Sequence, residues 1–210
     1  MDKMNSLLNN SLSKLINDVA SDSPTPGGGS VSVVSAALGL SLVIMAAEIS
    51  KKNNSSMDLE NLILETKSAS ESLLGFADKD IEVFNQYMFA LKLPKHNDEE
   101  KQVRNEAIQA AAKMATESPL KAAAEIVKSM KLTKRLLPFI KKDVVSDIGA
   151  GIALLNASLN AVLLNVDINL SSIRDSLLKT TFKSKKIALL NTGADVYALV
   201  WDEVTNMFAV

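Results

Sequence analysis

Apolar residues recur at steps of three and four along almost the whole chain, and that period predicts helices. Residues 5–20 carry Leu7, Leu8, Leu12, Leu15, Ile16 and Val19 on this spacing, the pattern of a short amphipathic helix. A turn follows. Pro24 and Pro26 fix φ and hold the preceding backbone extended, while Gly27, Gly28 and Gly29 let other groups approach the backbone closely. A helix then starts near Ser30, uncharged from Gly29 to Ala47 and rich in Ala, Ser and Gly. Gly39 between Leu38 and Leu40 predicts a central helix against which a neighbour packs with its backbone close.

KKNNSS at 51–56 is a polar break, and a long helix is expected from Asp58 to about Leu91, with Leu59, Leu62, Ile63, Thr66, Leu73, Ala77, Ile81 and Phe84 inward. Pro94 stops it. Asn97 with Glu100 three residues on forms a capping box for the next helix. Pro119 suits the first turn of another helix, to about Met130, and Pro138 with KKD at 141–143 makes a turn or kink. From Val144 to about Leu164 a nearly uncharged helix presents Ile148, Ile152, Leu155, Leu159 and Val162, and NVDINL at 165–170 closes or bends it. Ser171 to Met207 reads as one amphipathic helix in which Thr192 and Gly193 are the place for a break. No alternating run is flanked by hairpin turns, so the chain is expected to be all-α, a single domain over 1–210 forming a six- to seven-helix bundle. Several helices are apolar on more than one face, which predicts that a second copy covers part of them in a homodimer.

Composition narrows the chemistry. The 210 residues carry a formal charge of -1 with both signs interspersed, giving no basic surface for nucleic acid. The absence of cysteine excludes disulfides and thiolate nucleophiles, and a single histidine, His96, excludes a multi-histidine metal site. The stretch from Gly29 to Ala47 approaches the ~20 residues of a bilayer span. Six of them are Gly or Ser, Glu48 follows at once and no second candidate of that length is evident, so a core helix is expected, with no membrane partner. The N-terminus has no apolar signal core, which predicts a cytoplasmic location.

Proton chemistry must therefore come from carboxylates or lysines. The seam Leu73, Ala77, Asp80, Phe84, Tyr87, Leu91 holds one carboxylate among apolar neighbours. Poor hydration raises the pKa of such an acid and suits it to proton exchange; the alternative is a structural ion pair. Asp78, rotated ~200 degrees from it, is expected to be a solvated charge. The glycine turn is either a cradle, in which bare N–H groups at a helix start meet an anionic or carbonyl group, or a tight connection. A second inward polar set is Asp147, Gly151, Ser158, Asn165 and Asn169. Asp147 and Asn165 are ~27 Å apart along a helix, so they serve different parts of a long ligand or sites shared between subunits. Alternatively Ser146 caps that helix, Asp147 favours its dipole and the asparagines satisfy its far end. Lys95, with Arg104 beyond it, stands where a cation meets a substrate carboxylate, or is a solvated loop lysine; His96 is left out of the site.

In order along the chain, SPTPGGGSVSVVSAALG at 23–39, the D-x-x-V-F pattern from Asp80 to Phe84, LPKHNDEEKQVR at 93–104, SPL at 118–120, SD at 146–147 and NVDINL at 165–170 resemble the cyclodeaminase/cyclohydrolase family of folate enzymes. The resemblance implies an all-helical dimer acting on a one-carbon-substituted tetrahydrofolate, without a metal or any cofactor beyond that substrate. It places the acid/base aspartate at Asp80 and substrate contacts at Pro26, Gly27, Gly28, Gly29, Lys95, Asp147, Asn165 and Asn169. It implies a formiminotetrahydrofolate cyclodeaminase or a methenyltetrahydrofolate cyclohydrolase, with a formiminotransferase as a further partner. Two stretches depart from the family pattern: SKKNNSSM at 50–57 lacks a glycine, and Ile140 and Lys141 replace a Gly-Asn pair. Both are expected in loops that shape the pocket, and they motivate the alternative of a non-catalytic helical dimer binding a folate or a protein.

Overall fold

The computed structural model describes residues 6–52 and 56–208, so the middle of the polar break after the central helix lies outside the described residues. Among those described there is no strand. After a 3-10 turn at Leu7–Asn9 come α1 (Leu12–Val19), α2 (Gly28–Lys51), α3 (Met57–Lys92), α4 (Asp98–Leu136), α5 (Val145–Leu170) and α6 (Ser176–Asn206). Four start on a side-chain cap: Ser11 accepts from Lys14 N, Ser56 from Leu59 N, Asn97 from Glu100 N, and Asp175 from Leu177 and Leu178 N. Glu100 reaches back one residue further than in the usual box, to His96 N at 2.7 Å. Arg104 donates through Nε and Nη2 to Leu91 O, so this cation satisfies the end of α3.

Three helices outrun the sequence reading. Pro119 does not start a helix but sits inside the continuous 39-residue α4. NVDINL neither closes nor bends α5: Val162, Leu163, Val166 and Leu170 are all buried, so the apolar face carries the helix to Leu170. Gly193 does not break α6. A Cβ there would collide with Leu159 Cδ2 of α5, so this glycine marks a close approach between helices. Ser146 is not a cap either, because α5 begins after Val144 without a side-chain cap bond.

Helices α2, α3, α4 and α5 form a ring in which each packs on the next and α5 closes on α2, while α6 lies against α4 and α5. Leu40, Leu73, Ile126, Met130, Ile152 and Leu155 fill its centre at 0% exposure. Apolar burial of this kind is worth about 25 cal/mol per Å2 and holds the bundle together. The closest pair is α2 with α5. A Cβ on Gly39 would lie 2.9 Å from Gly151 O, and one on Gly151 would lie 2.7 Å from Gly39 O. At this crossing only glycine fits on either side. Gly151→Ala is expected to cost about 1–3 kcal/mol in urea melts by overpacking. Gly75→Ala on α3, with nothing within 4 Å of the added methyl, should be neutral or stabilising.

Two helical segments, Gly28–Lys51 and Lys142–Leu170, are long and apolar enough to cross a membrane by length and composition, which corrects the expectation of a single candidate. About half of each, 56% and 50%, is buried inside the bundle, as in core helices.

Candidate functional site

The N-terminus of α2 has no capping side chain of its own, since Gly27 is its N-cap. The missing cap comes from α3. Asp80 Oδ2 accepts from Ser30 N at 2.9 Å and lies 3.0 Å from Ser30 Oγ. An ideal Cβ on Gly29 would stand 2.5 Å from Asp80 Cγ and 2.6 Å from Oδ2, so a bare residue is required beside the carboxylate. Three consecutive glycines thus do different things: Gly27 occupies the N-cap position without a side chain to cap with, Gly28 faces open space, and Gly29 makes room for an acid.

Ser30 Oγ also lies 2.9 Å from Ala77 O. A hydroxyl has one proton, and a carbonyl only accepts. When Asp80 is ionised, the Ser30 proton turns to Oδ2. When Asp80 is protonated, Oδ2 donates to Ser30 Oγ and Ser30 donates to Ala77 O. Both charge states of the acid therefore find partners without moving the backbone. Burial raises the Asp80 carboxyl above its usual 3.8, outweighing the Ser30 side-chain and backbone bonds, which pull it down.

Asp80 opens into a cleft of about 330 Å3 lined by Pro24, Gly27 and Gly28 from the turn, Phe84 and Tyr87 from α3, and Asn165 and Asn169 from α5, among others. This falls within the ~300–1,000 Å3 typical of small-molecule sites. Tyr87 OH is 2.9 Å from Ser172 Oγ, and Gln109 Nε2 donates to Ser172 O, which pins the segment after α5 to the cleft wall. A larger groove of about 530 Å3 between α4 and α6 is lined by Leu120, Phe182 and Leu189 with Glu117, Lys121 and Lys185 at its edges. No glycine turn opens into it.

The cleft gathers Asp80, Gly27, Gly28, Asn165 and Asn169, with Gly29 buried beneath the acid. Pro26 is buried behind the turn, after a cis Thr25–Pro26 bond, and lines a separate small hollow. Lys95 is exposed in the α3–α4 connection and does not line the cleft. Asp147 lies in the first turn of α5, ~27 Å of helix from Asn165. Asp78 corrects the expectation of a solvated charge: its Oδ1 accepts from Leu7 N at 2.8 Å, because the N-terminal segment folds back over that face of α3. Ser30 escaped the sequence reading as a site residue. The signal for it was an α2 start with glycine, not Ser, Thr, Asp or Asn, at the N-cap position, which needs a cap from elsewhere.

The departures at 50–57 and 140–141 meet each other rather than the cleft, as far as they are described: Lys141 N donates to Ser50 Oγ at 3.0 Å. Ser50 is 22 residues along α2 from Gly28, about 33 Å of helix. Among the described residues neither stretch lines the Asp80 cleft. Residues 53–55 lie outside the described residues.

Fold and site together define an all-α bundle that holds a poorly solvated, doubly partnered carboxyl over a cleft of small-molecule size. More narrowly, the chain belongs to the formiminotransferase-cyclodeaminase family, whose model matches residues 11–187. It is 32% identical over 171 residues to the methenyltetrahydrofolate cyclohydrolase of Methylorubrum extorquens, covering 80% of this chain and 82% of that protein. It is also 32% identical over 198 residues to the formimidoyltransferase-cyclodeaminase of Gallus gallus, covering 92% of this chain but only 37% of that longer protein. The crystal structure of formiminotetrahydrofolate cyclodeaminase from Thermotoga maritima superposes with a TM-score of 0.78 over 96% of this chain and 97% of that one, at 26% identity.

Proposed function

We propose that the chain is an enzyme of tetrahydrofolate one-carbon metabolism whose cleft closes or opens the bridge between N5 and N10. In the cyclodeaminase direction N10 attacks the formimino carbon on N5. The formimino group enters protonated, as C=NH2+; the proton lost by N10 passes to its nitrogen, and ammonia departs as the positively charged 5,10-methenyl bridge closes. In the cyclohydrolase direction water adds to the methenyl carbon and loses both its protons, one to the ring nitrogen whose bond to that carbon breaks and one to solvent, leaving a formyl group on the other nitrogen. Both need one group that takes a proton and returns it nearby, and the Ser30 arrangement supports that role for Asp80. Both Ser30 contacts fall on Oδ2, so a substrate proton taken on Oδ1 leaves them in place, and one carried on Oδ2 is accepted by Ser30 Oγ. Gly27, Gly28, Asn165 and Asn169 position the folate, and the site works without a resident metal.

The observation that carries this reading is a half-buried carboxyl with raised pKa at the floor of the glycine and asparagine cleft, in a chain of this family. The test is to supply the purified protein with 5-formiminotetrahydrofolate and 5,10-methenyltetrahydrofolate in parallel, following methenyl absorbance. Turnover of either supports the reading and names the reaction; tight binding with no product over hours would replace it with the non-catalytic alternative.

The same reading includes a homodimer. The outer faces of α2 and α5 carry adjoining apolar stripes, with Val31, Leu38, Leu42 and Met45 on one and Leu154, Ala157, Ala161, Leu164 and Ile168 on the other. Leu38, Leu164 and Ile168 are 58%, 61% and 70% exposed in the single chain, too much to leave in water on contiguous helices. Ile168 also lines the cleft, so the seam runs to its rim. Lys95 and Asp147 serve a folate only if a second copy brings them there. Leu164→Arg is expected to give a folded monomer by analytical ultracentrifugation with weakened substrate binding. An unchanged dimer would move the seam elsewhere.

A further inference from the structure

The SPL block at 118–120 touches no part of the proposed chemistry, yet its proline changes the cleft. In an α-helix the carbonyl of residue 115 accepts from the N–H of residue 119. Residue 119 is proline, which has none, so Ala115 O is left without its helical donor inside α4. Asn169 Nδ2 fills the gap from α5, donating to Ala115 O at 2.7 Å. A carbonyl only accepts, so this contact fixes which end of the Asn169 amide is nitrogen. Ala115 and Asn169 both line the cleft, and no hydrogen bond among the described residues engages Asn169 Oδ1. One turn earlier on α5, Asn165 Nδ2 is buried with no hydrogen-bond partner among the described residues.

We propose that Pro119 is a positioning residue: by freeing Ala115 O it commits the Asn169 amide nitrogen to α4 and presents Asn169 Oδ1 to the cleft as an acceptor for a ring N–H of the ligand. Asn165 Nδ2 supplies the neighbouring donor. A donor beside an acceptor matches a lactam edge, a ring carbonyl next to a ring N–H, and rejects rings that lack the N–H. The inference rests on the folate reading, since the pterin ring carries such an edge.

The test compares the full chain with Pro119→Ala, Asn169→Ala and the double variant, by thermal melting and by steady-state kinetics on whichever folate the wild type turns over. Pro119→Ala restores an N–H that competes for Ala115 O. It should melt at or above the wild type, while KM rises about five- to tenfold and kcat stays within about twofold. Asn169→Ala should raise KM at least as far and melt lower, because Ala115 O loses its partner. In the double variant the restored N–H should recover the melting temperature, and KM should rise no further than in Asn169→Ala. An unchanged KM in Pro119→Ala, or effects that simply add, would overturn the inference. If the wild type turns over neither folate, the folate reading falls, while the coupling in melting temperature still decides whether the proline-freed carbonyl holds Asn169; additive shifts there overturn the link.

Discussion

Asp80→Asn should abolish most turnover, by a factor on the order of 10^2–10^4, while leaving the protein folded and more stable at neutral pH. The amide is nearly isosteric, and its oxygen still accepts from Ser30 N and Oγ, so the cap on α2 survives. What it lacks is the ability to take a proton and give it back. The stability change has a defined sign. Burial raises the Asp80 carboxyl above 3.8 in the folded protein, so its favourable contribution is fully present below that value. It is lost as pH rises through the higher folded value, where an ion must be formed in a poorly hydrated place. The uncharged amide escapes that loss. Urea melts of wild type and variant should therefore diverge in favour of the variant from about pH 4 upward. A variant that is active, or that loses stability relative to wild type as pH rises, would remove Asp80 from the reaction.

The route from sequence to this acid was short because α3 keeps one helical period over its whole length, and the seam through Ala77, Asp80, Phe84 and Tyr87 can be read directly. What could not be read were features whose cause sits on another element. Asp78 looked solvated by rotation about α3 alone, but its partner is Leu7, 71 residues earlier. Pro119 and Gly193 looked like breaks because proline and glycine weaken an isolated helix. Asn169 instead satisfies the carbonyl that Pro119 strands, and Leu159 occupies the space Gly193 leaves open. The glycine turn was legible as a place where something approaches the backbone, but not that the visitor is a side chain of the same chain. Lys95 and Asp147 were read from their own loop and helix, and neither reading tied the residue to the Asp80 cleft of this chain.

The glycine turn also yields the most demanding prediction, because neighbouring glycines should answer differently to the same methyl group. Gly29 has no left-handed backbone to protect, as no glycine among the described residues has positive φ, so on helix propensity alone Gly29→Ala should stabilise α2. The structure reverses that expectation. The added Cβ would fall 2.5 Å from Asp80 Cγ, and relief requires the carboxyl to swing off Ser30 or the N-terminus of α2 to lift from α3. Either movement strips Ser30 N and Oγ of their partner and displaces the acid by about an ångström, enough to cost on the order of 100-fold in turnover. Overpacking should take a further ~1–3 kcal/mol from stability. Gly28→Ala puts its methyl where nothing lies within 4 Å, at the mouth of the cleft. It should leave stability unchanged or improved and act mainly on KM, because it meets the ligand and not the acid. Kinetics and melts on the two variants side by side separate these outcomes. If Gly29→Ala kept wild-type kcat, the contact between the α2 N-terminus and Asp80 would not be part of the working site.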